Sequence, residues 1–172
     1  CAYALNEEGV SYGEVVRFTT GVDVPAHGQP LVSDITSSSA LLTADVLSDG
    51  GERASEYGFF WGLDHRNLDR KVVCDGESFV YELTGLDRNT RYYVRSYSTN
   101  SRGTANSQVV EFATLAELPV VSLDTVYDVL GCSAMCSISV IDEGGDTIID
   151  KGVVYAADPD ADMKNWNSLS AG

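Results

Sequence analysis

The chain has 172 residues, 44% of them apolar, and carries 11 Lys and Arg against 26 Asp and Glu, a formal net charge of −15. That balance excludes a binder of phosphate backbones, which needs clustered cations, because the basic residues here are few and scattered. No apolar run reaches the roughly 18 residues of a membrane-spanning helix, so this segment is not expected to insert in a bilayer.

The elements read in chain order as short strands, and they repeat. Residues 1–20 have the pattern of a hairpin closed near Gly9, and the same pattern returns at 95–114. At an offset of 94 residues Tyr3 matches Tyr97, Asn6 matches Asn100, Gly9 matches Gly103 and Phe18 matches Phe112. Next, Ala40, Leu42, Ala44 and Val46 alternate with Leu41, Thr43, Asp45 and Leu47, which predicts a strand with one buried face, ended by the turn residues Ser48–Gly51. Strands are then predicted over 54–62, 71–74, 78–84, 91–99 and 107–114, the β-branched and aromatic residues suiting a pleated surface. No segment shows a 3.6-residue period, so helix is not expected.

Beyond residue 114 the offset continues without a gap through Pro25/Pro119, Asp34/Asp128, Gly50-Gly51/Gly144-Gly145 and Gly58/Gly152. In all, 17 of 78 superposed positions are identical, where chance gives roughly 5. Internal repetition at such a period signifies an array of like units. The phase of the period divides the chain into a terminal hairpin (1–20), a complete unit (21–114) and the opening part of a third (115–172). Both chain ends then fall inside a unit, and the expectation is a stretch of a longer array. The fold class expected is all-β, tandem immunoglobulin-like sandwiches of about 94 residues each.

The run Leu86-Asp87-Arg88-Asn89-Thr90-Arg91-Tyr92-Tyr93-Val94 resembles the fibronectin type III pattern Leu-x-Pro-x-Thr-x-Tyr-x-Val, with Arg88 standing where that family usually has Pro. The resemblance implies that Tyr92 is a tyrosine corner, with Leu86 and Trp61 in structural roles, and that Trp61 takes a third-strand place instead of the family's usual second-strand one. Together with Ser-Asp-Gly-Gly and Glu-Tyr-Gly-Phe-Phe-Trp, the chain is similar to fibronectin-like repeats of secreted and surface proteins of Bacteroidetes. That resemblance implies a non-catalytic spacer or adhesion module outside the cell, lipid-anchored or part of a larger envelope protein, its partners being neighbouring repeats. A glycan- or protein-binding module and a subunit of a filament, pilus or phage appendage are the alternatives.

Candidate sites follow from residue type. Asp158, Asp160 and Asp162 alternate as calcium ligands do, but Met163 stands where an EF-hand needs glycine, so calcium is a weak expectation and no other cofactor is expected. Tyr93 and Tyr97 should face outward, opposite to Tyr92 and Val94, and Phe60 could join them in an exposed aromatic strip fit for a sugar ring. Loops 48–52 and 100–104, including Asn100 and Arg102, should meet at one end and offer a contact surface. His27 and His65 read as exposed loop residues. The four cysteines are too few for a disulfide scaffold, Cys136 reads as a buried thiol, and no Cys–His pairing or zinc cluster is spaced for chemistry. No enzyme is expected.

Overall fold

The computed structural model describes residues 1–75 and 79–156, together with the backbone of Asn167–Ser170. Every regular element among them is a strand. In order these are β1 (Tyr3–Asn6), β2 (Gly9–Tyr12), β3 (Ala26–His27), β4 (Leu31–Ser33), β5 (Ser39–Thr43), β6 (Val46–Ser48), β7 (Glu56–Gly62) and β8 (Arg70–Val73). They continue as β9 (Val80–Thr84), β10 (Arg91–Asn100), β11 (Gly103–Asn106), β12 (Val110–Ala113), β13 (Val120–Tyr127), β14 (Met135–Asp142), β15 (Gly152–Tyr155) and β16 (Asn167–Ser170).

Residues 26–113 form a sandwich. One sheet has the order β4-β5-β9, and the other runs β11-β10-β7-β8 with β12 also paired to β10. The period-two alternation of β5 puts Ala40 and Leu42 at zero exposure, facing Phe59 from β7 and Val94 from β10 across the core. Each fully buried Leu, Val or Phe of this set stabilises the fold by about 1.5–3 kcal/mol. Trp61 joins the core's edge, its ring capped by the Arg70 guanidinium at 4.5 Å. Val46 departs from the expected alternation. The strand breaks after Thr43, where the Ala44 N–H turns to the Phe79 carbonyl, and Val46 restarts in β6 with its side chain exposed.

The geometry recurs at the period read from the sequence. The β3–β6 and β4–β5 pairings align Ala26 with Ser48, His27 with Val46 and Leu31 with Thr43, with a bulge after Ala26. The β13–β14 hairpin aligns Val120 with Asp142, Val121 with Val140 and Thr125 with Ser137, with a bulge after Val120. Asp34 and Asp128 share a φ of 48°, and Gly50 and Gly144 have φ of 72° and 74°. A Cβ at Gly50 would stand 2.2 Å from the Asp23 carbonyl oxygen, and one at Gly144 2.1 Å from that of Glu117. Close backbone passage and positive φ together explain why glycine holds both positions. In contrast, the core belongs to residues 40–112: Phe112 is 6% exposed while its counterpart Phe18 is 87% exposed. Cys136, expected to be buried, is exposed on β14, where an open concavity separates it from Val153 and Tyr155 of β15 instead of close packing.

The Tyr92 hydroxyl accepts a hydrogen bond from the Asp87 N–H at 2.9 Å, closing the turn that leads into β10. Tyr92→Phe should leave that part-buried N–H without its partner and cost about 1–3 kcal/mol, read from the urea midpoint. An unchanged midpoint would show that the hydroxyl is dispensable to the turn.

Candidate functional site

Strand β10 passes its side chains alternately to two surfaces. Tyr92, Val94, Ser96, Ser98 and Asn100 face the interior, and Tyr93, Arg95, Tyr97 and Thr99 face out. On the outer face Tyr97 stacks against Phe60 with ring centroids 4.6 Å apart. It sits opposite Gly58 in the β7 register, and the Lys71 ammonium lies 4.9 Å over its ring. This burial corrects the expected exposed strip: Tyr97 is 1% exposed, packed against Phe60 and beneath the Lys71 ammonium. Gly58 itself answers a close backbone approach, since a Cβ there would stand 2.0 Å from the Val72 carbonyl oxygen. Burial first, and the hydrogen-bonding reach of Glu56 second, push the Tyr97 hydroxyl up to about 12. Lys71 and Glu56 pair at 2.6 Å, which raises the ammonium and lowers the carboxyl. Phe60 and Tyr93 are half-buried, and Tyr93 meets the exposed His65 ring at 5.7 Å instead of joining Phe60 and Tyr97.

His27 is not a loop residue. It lies in β3 with Nδ1 2.9 Å from Ser96 Oγ, Nε2 3.3 Å from the Ala105 carbonyl, and its ring stacked on Phe79. Ser96 has zero exposure and donates to the Gly28 carbonyl, so this buried Ser–His pair ties β3 to β10. Among the described residues no three His, Cys, Asp or Glu side chains gather for a metal, and Asp158, Asp160 and Asp162 lie outside those residues.

At one end of the sandwich the loops after β6 and β10 do meet. Asn100 is buried, and its amide donates to the carbonyls of Asp23 at 2.7 Å and Asp49 at 3.3 Å while accepting from the Arg102 N–H. It therefore shapes the end without presenting itself to a partner. Arg102 is exposed, and Ser101 bonds Glu52 across the gap. Beside these loops a cleft of about 200 Å³ opens between Pro25, Val46, Asp49, Arg53, Ala54, Tyr57 and Ser98.

At the opposite end, Arg88 reaches the β13–β14 segment. Its Nη2 lies 2.6 and 2.7 Å from the two Asp142 carboxylate oxygens, and its Nη1 lies 3.1 Å from Glu117. Glu117 accepts in turn from Ser37 Oγ at 2.6 Å. Asn89, held at a φ of 48°, donates its side-chain amide to the Gly145 carbonyl at 2.7 Å. Two backbone bonds flank the group, Asn89 N–H to Leu115 carbonyl and Leu115 N–H to Thr36 carbonyl. A Cβ at Gly145 would meet Arg88 Cγ at 2.8 Å. The sequence flagged Arg88 only as a departure from a motif's proline. The role of Asp142 and Glu117 carried no local signal, because their partner is distant in the chain.

No family model matches the chain. Among solved structures it is similar to a fourth FNIII domain from human, at 23% identity and a TM-score of 0.49, over 66% of this chain and 95% of that one. It is also similar to the sixth fibronectin type III domain of human fibronectin type III domain containing protein 3, at 27% identity and a TM-score of 0.44, over 58% and 91%. The decisive features are internal: three strands packed on a larger sheet, and a tyrosine hydroxyl closing the turn before the strand that carries it. The fold is fibronectin type III-like.

In this fibronectin type III-like sandwich Cys74 is the buried thiol, pushed up to about 11, mainly by burial and secondarily by Asp75. Cys1, Cys132 and Cys136 are exposed. A thiol-reactive disulfide reagent near pH 8 should therefore label those three at once and Cys74 only on unfolding. Fast labelling of all four would contradict the placement of Cys74 in the core.

Proposed function

We propose that the chain is a non-catalytic spacer segment of a larger extracellular or cell-surface protein, in which successive sandwich units are held at fixed angles. In this reading 21–114 is a complete unit, 1–20 is the last hairpin of the unit before it and 115–172 opens the unit after it. Neighbouring units of the same chain are the principal partners.

The observation that carries the reading is the Arg88 clasp. Isolated exposed ion pairs contribute little to stability, because solvent screens them and two long side chains lose freedom. Here one guanidinium is shared by two carboxylates, and the fork geometry fixes direction as well as distance. The Asn89 amide and the two backbone bonds through Leu115 restrain the connecting segment further. A flexible linker would instead be rich in small polar residues with solvated backbone. The acidic surface also suits an extended array, since like-charged units repel one another when they fold back.

Asp142 titrates below its ordinary value of 3.8, chiefly through Arg88 and then through the Gly144 N–H. A depressed carboxyl contributes stability that is complete above the ordinary value and is lost as pH falls through the depressed one. Residual dipolar couplings should therefore report one orientation of 115–156 against 21–114 from neutral pH down to the ordinary carboxylate range, and averaging below it. Arg88→Ala should produce the same averaging at neutral pH while the urea midpoint of the 21–114 core stays put. Couplings that are unchanged in Arg88→Ala would remove the fixed-angle spacer reading.

A further inference from the structure

Two parts of the chain expose what the 21–114 unit buries, and their counterparts pair with each other inside that unit. The first is the β1–β2 hairpin. Its register runs from Tyr3 with Tyr12 to Asn6 with Gly9, and β10–β11 runs from Tyr97 with Asn106 to Asn100 with Gly103, the same residue for residue at the offset of 94. In the unit, β10 also pairs with β7, which sets Tyr97 opposite Gly58 and Arg95 opposite Phe60. Strand β1 has no such second partner among the described residues, and Tyr3 is 73% exposed where Tyr97 is sealed. Val16 and Phe18, the counterparts of Val110 and the core residue Phe112, are exposed as well.

The second part is β15, the counterpart of the middle of β7, with Gly152 for Gly58, Val153 for Phe59 and Tyr155 for Trp61. Among the described residues β15 pairs only with β16. Its other edge therefore offers unpaired N–H and C=O groups, a template on which a further strand can form. Beside it lies a concavity of about 440 Å³ lined by Val126, Ala134, Cys136, Val153 and Tyr155. At the offset these are Val32, Ala40, Leu42, Phe59 and Trp61, which belong to the unit's core or pack against it. The concavity is thus a half-built core. In the unit that core is completed by side chains that include Phe112, the counterpart of Phe18.

We propose that the β1–β2 hairpin of one copy adds to the β15 edge of a second copy, in the register that joins β10 to β7. That register sets Tyr3 opposite Gly152, Ala2 opposite Val153 and Cys1 opposite Val154, and directs Phe18 toward the concavity. The hairpin's own copy is badly placed to fill the edge. Its chain enters the 21–114 unit where the Asp23 N–H meets the Gly50 carbonyl, while the third segment is clasped by Arg88 at the other end. The hairpin comes with its turn and internal register already formed, which lowers the ordering cost of association. Main-chain bonds then supply affinity, and the Tyr3 and Phe18 side chains select the register. Because the two surfaces differ, each added copy leaves a hairpin and an edge for the next, and association is not limited to a dimer. The net charge of −15 opposes the contact, so screening by salt strengthens it. This contact between copies is separate from the spacer reading, which rests on the Arg88 junction within one copy.

The test uses the whole 172-residue chain. Sedimentation velocity should show association that grows with protein concentration and strengthens with added salt. Tyr3→Asp and Phe18→Asp should each weaken it about tenfold, which corresponds to about 1.4 kcal/mol. The urea midpoint should stay put in both variants, because both side chains are exposed in the single copy. The register is read by cross-linking with oxidised glutathione in a Cys132→Ser, Cys136→Ser background. Val154→Cys should link to Cys1 of another copy, since directly opposed residues of antiparallel strands lie about 4.5–5.5 Å apart. Val153→Cys, whose side chain lines the concavity on the other face, should link roughly tenfold more slowly. A monomer at every concentration and salt would overturn the proposal. So would association unchanged in both Asp variants, or equal linking from positions 153 and 154.

Discussion

The bond from the Asp87 N–H to the Tyr92 hydroxyl is the point on which the rest of the unit turns. It fixes where β10 begins, and β10 is the ten-residue strand that pairs with β7, β11 and β12. Closing the turn at 86–90 buries Leu86, whose N–H donates to the Ser38 carbonyl just before β5. It also presents Arg88 and Asn89 outward, because the left-handed residue Asn89 reverses the chain between them and Thr90. The clasp on Asp142, Glu117 and Gly145 is thus downstream of a packing event inside the sandwich. From the same anchor, strict alternation along β10 carries Ser98 and Asn100 to the far end, where one lines the cleft and the other ties the loops. One strand sets both ends.

Much of this was legible in the sequence because repetition and alternation are local. The offset of 94 is carried by glycines with required backbone conformations, and the structure gives Gly50 and Gly144 nearly equal φ. Parity along residues 92–98 assigned the inner and outer rows correctly. Parity tells which face a side chain takes, however, and not what then covers it. Tyr97 faces outward yet is sealed, because Phe60 and Lys71 close over the ring. The turn-like neighbours Ser101, Arg102 and Gly103 point to a loop at Asn100, yet the strand runs through it and its amide points in. The Gly and Pro around His27 point to a loop, while its bonds reach partners 69 and 78 residues away, which no local window reveals.

Charge explains why the clasp is ionic at all. With 26 acidic residues against 11 Lys and Arg, two acidic units meeting end to end repel unless a cation lies between them. Arg88 serves that purpose, and arginine suits it better than lysine because the planar fork engages Asp142 with both oxygens while still reaching Glu117. Proline at this position, the usual residue of the motif, would keep the turn but leave the facing carboxylates uncompensated. The departure from the pattern and the acidity of the chain are thus two sides of one solution.

The two ends of the unit also need not compete. At the 94-residue offset, Gly145, which Arg88 and Asn89 cover, corresponds to Gly51, which has open space where a Cβ would stand. If an upstream unit docked there in the same way, it would approach the loop that borders the cleft. Yet the equivalent concavity in the third segment, where that docking is complete, is lined only by residues of 140–151 and by none from the 21–114 unit. The clasp sits over the turn glycine Gly145, through the Arg88 side chain and the Asn89 amide. A junction built like the one at Arg88 therefore leaves the concavity beside the turn clear of the neighbouring sandwich.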